Sequence, residues 1–250
     1  LLALPSAGGA VTRTRSLPSL MPATFDALAR GVTRIEIRAF SVVSATGKDY
    51  GRGPAMLDIM GNLAYVDRPA AGNPEGLMVL HHGRGSNEHD LIGLADVFDP
   101  EQRLHIVSPR APLEFQGMPG AHWYVVQRVG FPHAETFIPS LKALNDFHDY
   151  LFETTGIGPD RTILGGFSQG SVMSFATGLS GDRPVPAGIL GISGFIPQVD
   201  GWAPDFASRP DLPILIAHGR QDPVISFEFA EQAKGLIEAA GLPLEFMPSD

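Results

Sequence analysis

Two kinds of apolar pattern alternate along this chain. Residues 77–82, 104–108, 162–167, 187–192, 214–218 and 244–247 are short, nearly unbroken apolar runs. Between them lie stretches in which apolar residues return every three or four positions, at 139–154, 169–178 and 226–240. Unbroken apolar runs are what parallel strands covered on both faces require, and the longer period marks helices with one buried stripe. Gly241 followed by Pro243 gives the last helix a conventional stop. The alternation predicts an α/β fold, a mostly parallel sheet with helices on both faces. No internal repeat or low-complexity segment interrupts it.

Size and composition fit one such unit. A chain of 250 residues with 44% hydrophobic content can bury one large core. The N-terminal part reads differently. Thr12 to Ser19 is polar and irregular, whereas Met56 stands just ahead of the strand-like Leu63-Ala64-Tyr65-Val66. We therefore expect an N-terminal segment of uncertain structure over 1–55 and the folded domain over 56–250, with Met56 a plausible natural start. The apolar opening is broken by Pro5, Ser6, Gly8 and Gly9 and lacks a basic leader, which argues against a signal peptide.

Charge and residue usage then narrow the function classes. A net charge of −9 disfavours nucleic acid and anionic membrane surfaces as partners. No apolar run reaches membrane-spanning length, so no membrane insertion is expected. The absence of cysteine removes disulfides, thiolate metal sites and cysteine nucleophiles together.

Three constellations carry chemistry. Gly166-Phe167-Ser168-Gln169-Gly170 places a serine between glycines, after a predicted strand and before a predicted helix. That context suits a nucleophile elbow, in which a sharp turn exposes the hydroxyl; an ordinary glycine-serine turn is the competing reading. Leu80-His81-His82-Gly83-Arg84-Gly85 follows another strand. A glycine-flanked loop there can aim backbone N–H groups at a tetrahedral oxyanion, and the expected donors are Arg84 and Gln169. Adjacent histidines on an extended segment point to opposite faces, so His81 and His82 are not expected to share a metal. His218-Gly219-Arg220-Gln221-Asp222-Pro223-Val224 ends a late strand. Asp222 there suits the acid of a Ser, Asp, His triad in that chain order, against the alternative of a plain Asp-Pro turn. A long connection between Arg110 and Phe137 holds Phe115, Met118, Trp123, Tyr124 and Phe131. Trp123 is the expected substrate contact, with anchoring of the loop to the core as the alternative.

Taken with Ser108-Pro109-Arg110-Ala111-Pro112, Trp123-Tyr124 and Ser193-Gly194-Phe195-Ile196-Pro197, these motifs resemble the phospholipase/carboxylesterase family that includes acyl-protein thioesterases, over roughly residues 64–247. The resemblance implies an α/β-hydrolase fold and a cytoplasmic serine hydrolase of esters or thioesters. It implies no metal and no organic cofactor, a small-molecule ester or thioester as partner, and an open oligomeric state. It also implies a catalytic histidine after one more strand and a short loop, which residues 244–250 do not reach. The expectation is a domain truncated at its C-terminus, with the final loop and helix missing and this chain inactive by itself. The alternative is a catalytically silent α/β-hydrolase that binds a small molecule.

Overall fold

The computed structural model describes residues 63–114 and 120–250, together with two three-residue strands, Ala23–Phe25 and Ile35–Ile37, paired antiparallel. The expectations for 1–55 and for Met56 otherwise lie outside the described residues, as do Phe115 and Met118.

Seven strands form the main sheet: β1 Tyr65–Arg68, β2 Gly76–His81, β3 Leu104–Pro109, β4 Thr162–Phe167, β5 Gly188–Ile192, β6 Ile214–Gly219 and β7 Leu244–Ser249. Their spatial order is β7-β6-β5-β4-β2-β3-β1. Every pair is parallel except β1 with β3. The expected strands are therefore all present, with ends moved by at most two residues.

The unbroken apolar runs sort by alternation, because successive side chains on a strand point to opposite faces. Leu77, Val79 and Leu164 lie in one core cluster, while Met78, Leu80, Ile163, Leu190 and Leu215 lie in another across the sheet. The first cluster is covered by helix α1, Ala134–Thr155, and helix α2, Gln169–Gly178, through Phe147, Val172 and Ala176. On the same face, Ile189, Ile214 and Ile216 meet Ala230, Ala233 and Ile237 of helix α3, Phe227–Ala239. The opposite face receives Leu91, Ile92, Ala95 and Phe98 from two short helical turns.

One helix boundary differs from expectation. The sequence pattern starts α1 at Pro139, a favoured residue in a first turn. The helix begins earlier, at Ala134, and Pro139 sits inside it. The His133 carbonyl accepts the Thr136 and Phe137 N–H groups at 3.1 and 2.9 Å, and Phe137 is fully buried. Burial of Phe137 thus helps to recruit a turn despite the proline inside the helix, which leaves the Glu135 carbonyl without its intrahelical N–H donor. The far end stops at Gly156, whose φ of 67° is the left-handed conformation glycine accepts.

Candidate active site

Ser168 joins β4 to α2 with φ 54° and ψ −119°, a strained conformation for a residue with a side chain. The surroundings enforce it. Its N–H donates to the Ile192 carbonyl at 2.9 Å, and its carbonyl accepts the Val172 N–H at 3.2 Å. A Cβ at Gly166 would stand 2.4 Å from the Gly170 backbone, and one at Gly170 would stand 1.9 Å from the His81 carbonyl oxygen. Neither separation is possible for a real side chain, so both glycines of the motif are required by close backbone approach.

The loop after β2 is fastened from three sides. His82 Nδ1–H donates to the Gly83 carbonyl at 2.7 Å while its Nε2 accepts the Ala111 N–H at 3.0 Å. That pair of bonds fixes the neutral Nδ1–H tautomer, and burial pulls the ring's pKa below its ordinary value. The Gly85 N–H donates to the Ala121 carbonyl, and the Ala121 N–H to the Ser86 carbonyl, both at 2.8 Å. Trp123 Nε1–H donates to the His82 carbonyl at 2.9 Å. Arg84 is thereby held at the cavity rim. Gln169 is the first residue of α2, where backbone N–H groups have no partner within the helix.

The Gln169 side chain has a second task. Its Oε1 accepts the Trp123 N–H at 3.0 Å, and its Nε2–H donates to the Tyr124 carbonyl at 2.8 Å. The amide thus clips the 123–124 segment to the elbow.

Asp222 follows β6. Its Oδ1 accepts the Val224 and Ile225 N–H groups at 2.8 and 2.9 Å, so the carboxylate shapes its own turn. Buried His218 braces that turn from below, donating Nε2–H to the Ile225 carbonyl at 2.8 Å. The Asp-Pro turn and an acid role are therefore compatible: Oδ1 builds the turn, and Oδ2 lies 3.6 Å from His218 Nε2, which gives its own hydrogen bond to the Ile225 carbonyl, so Oδ2 can accept from another partner.

Ser168, Asp222, Arg84 and Gln169 all line one cavity of about 380 Å³. Its apolar wall includes Tyr124, Phe167, Phe195, Val224 and Ile225. Trp123 is not on that wall. It is fully buried, with its ring near those of His81 and His82, and the adjacent Tyr124 faces the cavity instead. The structure therefore does not set the expected contact residue Trp123 against the cavity; Tyr124 lines it instead. Neighbours on an extended segment face opposite ways, and the alternation alone does not say which one faces inward. Phe195 was also missed as a wall residue; the Ser-Gly-Phe-Ile-Pro stretch after β5 was its signal.

None of the eight histidines lines the cavity. His105 pairs with Asp67 at 2.7 Å, and His89 approaches Glu88 at 3.5 Å. His81 and His148 are buried behind the elbow, 3.2 Å apart through their Nε2 atoms. Ser174 donates its hydroxyl to the Gly170 carbonyl at 3.0 Å, so it accepts from His81 Nδ1–H at 2.8 Å. His81 Nε2 is then the acceptor for His148 Nε2–H, and both rings are neutral.

A model of the phospholipase/carboxylesterase family matches residues 66–247. The chain belongs to that family. It is 26% identical over 195 residues to acyl-protein thioesterase 1 of Emericella nidulans, covering 70% of this chain and 80% of that one. Among solved structures it is similar to esterase PE8, with a TM-score of 0.62 and 29% identity over 75% of this chain and 89% of the other. The carboxylesterase of Bacillus cereus shares the fold, with a TM-score of 0.63 at 23% identity, covering 75% and 85% of the two chains. The fold is that of the α/β-hydrolases, as expected.

Proposed function

We propose that this protein is a serine hydrolase of carboxylic esters or thioesters that works through an acyl-enzyme on Ser168. The observation that carries this reading is the convergence of the strained Ser168 with Asp222, Arg84 and Gln169 on one cavity. Family membership and the likeness to a thioesterase and an esterase support the substrate class.

In this mechanism Ser168 Oγ attacks the substrate carbonyl as a base removes its proton. The Arg84 and Gln169 N–H groups hold the resulting oxyanion. Collapse breaks the ester or thioester bond, and the leaving alkoxide or thiolate takes the proton back from the base. Water then attacks the acyl-enzyme by the same route and frees Ser168. We assign the base to a histidine following Asp250 in a longer form of the protein, oriented by Asp222 Oδ2. Topology favours that assignment. β7 runs parallel to β6 with Ser249 beside Gly219, and the Arg220 N–H donates to the Ser249 carbonyl at 2.7 Å. The end of β7 thus lies next to the acid loop, where a residue following Asp250 would be within reach of Asp222. The domain proposed to act is 56–250 plus that continuation, and no helix among the described residues is long and apolar enough to cross a membrane.

The absence of any histidine from the cavity wall favours a second reading, a silent hydrolase that binds small molecules. The test compares this chain with one extended into its natural downstream sequence, using p-nitrophenyl butyrate turnover and fluorophosphonate labelling. The extended form should be faster by the 10²–10⁴-fold that a general base supplies, and Ser168→Ala should abolish labelling in both. Equal rates in the two forms would place the base among the histidines present and overturn the assignment. No turnover in the extended form would establish the silent reading.

A further inference from the structure

A second cavity of about 340 Å³ lies beside the first, between the hairpin tip at Gly130 and Phe131 and the face of α3 carrying Phe229, Gln232 and Leu236. Phe195 lines both cavities. It is 5% exposed and its ring centroid lies 5.3 Å from that of Phe229, the planes tilted by 39°. Phe229 is itself wedged. A Cβ at Gly130 would fall 2.6 Å from its ring, and Gly130 has φ +90°, so the ring rests on bare backbone that no other residue supplies without strain. The Gln198 N–H donates to the Gly130 carbonyl at 3.3 Å, tying the hairpin tip to the segment that carries Phe195. The aromatic pair is a braced wall between two compartments.

We propose that Phe195 is the residue that limits acyl-chain length, confining the acyl group to the first compartment and closing off the second. This rests on the first cavity being the substrate site. At about 30 Å³ for each water-sized group, 380 Å³ holds roughly a dozen non-hydrogen atoms, enough for the reacting carbonyl and a chain of about eight carbons. Removing the Phe195 ring joins a second compartment of comparable size. The expected preference is therefore for short acyl groups in the parent and longer ones once the wall is opened.

The experiment measures binding, which needs neither base nor turnover. Straight-chain carboxylates from butyrate to dodecanoate, the products of such a hydrolysis, are titrated calorimetrically against the chain and its Phe195→Ala and Phe195→Leu variants. Affinity in the parent should rise about four-fold per methylene and stop rising near octanoate. In Phe195→Ala the rise should continue to dodecanoate, and in Phe195→Leu it should stop in between. Adding Leu236→Trp to either Phe195 variant refills the second compartment from α3 and should restore the parent's limit. A continuous rise to dodecanoate in the parent, or the same limit in all variants, overturns the proposal. Phe195→Leu keeps an apolar side chain in the core, so it decides the question if Phe195→Ala does not fold. Failure of turnover in the extended form would sink the hydrolase reading while leaving the chain-length limit measurable, and a missing limit in an active hydrolase would sink this inference alone.

Discussion

Gln169→Ala separates two roles that one residue holds at the elbow. The substitution keeps the backbone N–H assigned to the oxyanion and deletes the amide that clips Trp123 and Tyr124. Gln169 is 3% exposed, so the abandoned Trp123 N–H and Tyr124 carbonyl are left without solvent in easy reach. An unsatisfied buried group costs about 1–3 kcal/mol, which puts the pair at roughly 2–6 kcal/mol. For a domain of this size, at about 2–4 °C per kcal/mol, that is a fall of roughly 4–24 °C in Tm. The Gln169→Glu variant sharpens the test. Its carboxylate can still accept the Trp123 N–H, but at neutral pH it sets a second oxygen against the Tyr124 carbonyl, so it should be destabilised near pH 7 and recover as the acid is protonated. Tm is followed by calorimetry, and turnover of the extended form is read at a temperature where every variant is folded. Because the N–H survives, kcat should fall far less than in Ser168→Ala. A Gln169→Ala Tm within about 1 °C of the parent would refute the clip, and a rate loss equal to that of Ser168→Ala would refute the division between N–H and amide.

Two further expectations concern the acid and the buried histidines. Asp222→Asn keeps an oxygen for the Val224 and Ile225 N–H groups, so it should leave Tm nearly unchanged while lowering kcat of the extended form by roughly 10³–10⁴-fold; Asp222→Ala should lose both the rate and the turn, and full activity in Asp222→Asn would reduce this residue to a turn former. Burial holds His148 down to about 3 and lowers His81 for the same reason, with the neighbouring His148 adding to it. Since the unfolded chain binds these protons first, the stabilisation is complete above about pH 6.5 and declines as pH falls toward the folded values, at about 1.4 kcal/mol per pH unit for each ring. Urea midpoints at pH 7 and pH 5 should show that decline, and a His148→Phe variant should show a shallower one; parallel slopes in the two proteins would count against the neutral pair.

Periodicity was enough to place all six parallel strands and three helices, because a sheet buried on both faces needs unbroken apolar runs and a covering helix needs a 3.6-residue stripe. The glycine spacing around Ser168 was legible for a similar reason: close backbone approach leaves room for hydrogen alone, and the sequence records it as Gly166 and Gly170. Other features depended on which distant groups meet. Trp123 and Tyr124 are adjacent aromatics with equal claims on a pocket, and only the clip from Gln169 and the bond to the His82 carbonyl turn Trp123 into the core and Tyr124 to the cavity. Phe195 became a wall between compartments through Phe229 and the bare backbone of Gly130, residues far apart in the chain. Local pattern fixes what a segment buries, since burial follows from period. What a side chain faces is decided by the segments packed against it, and that is set by tertiary structure.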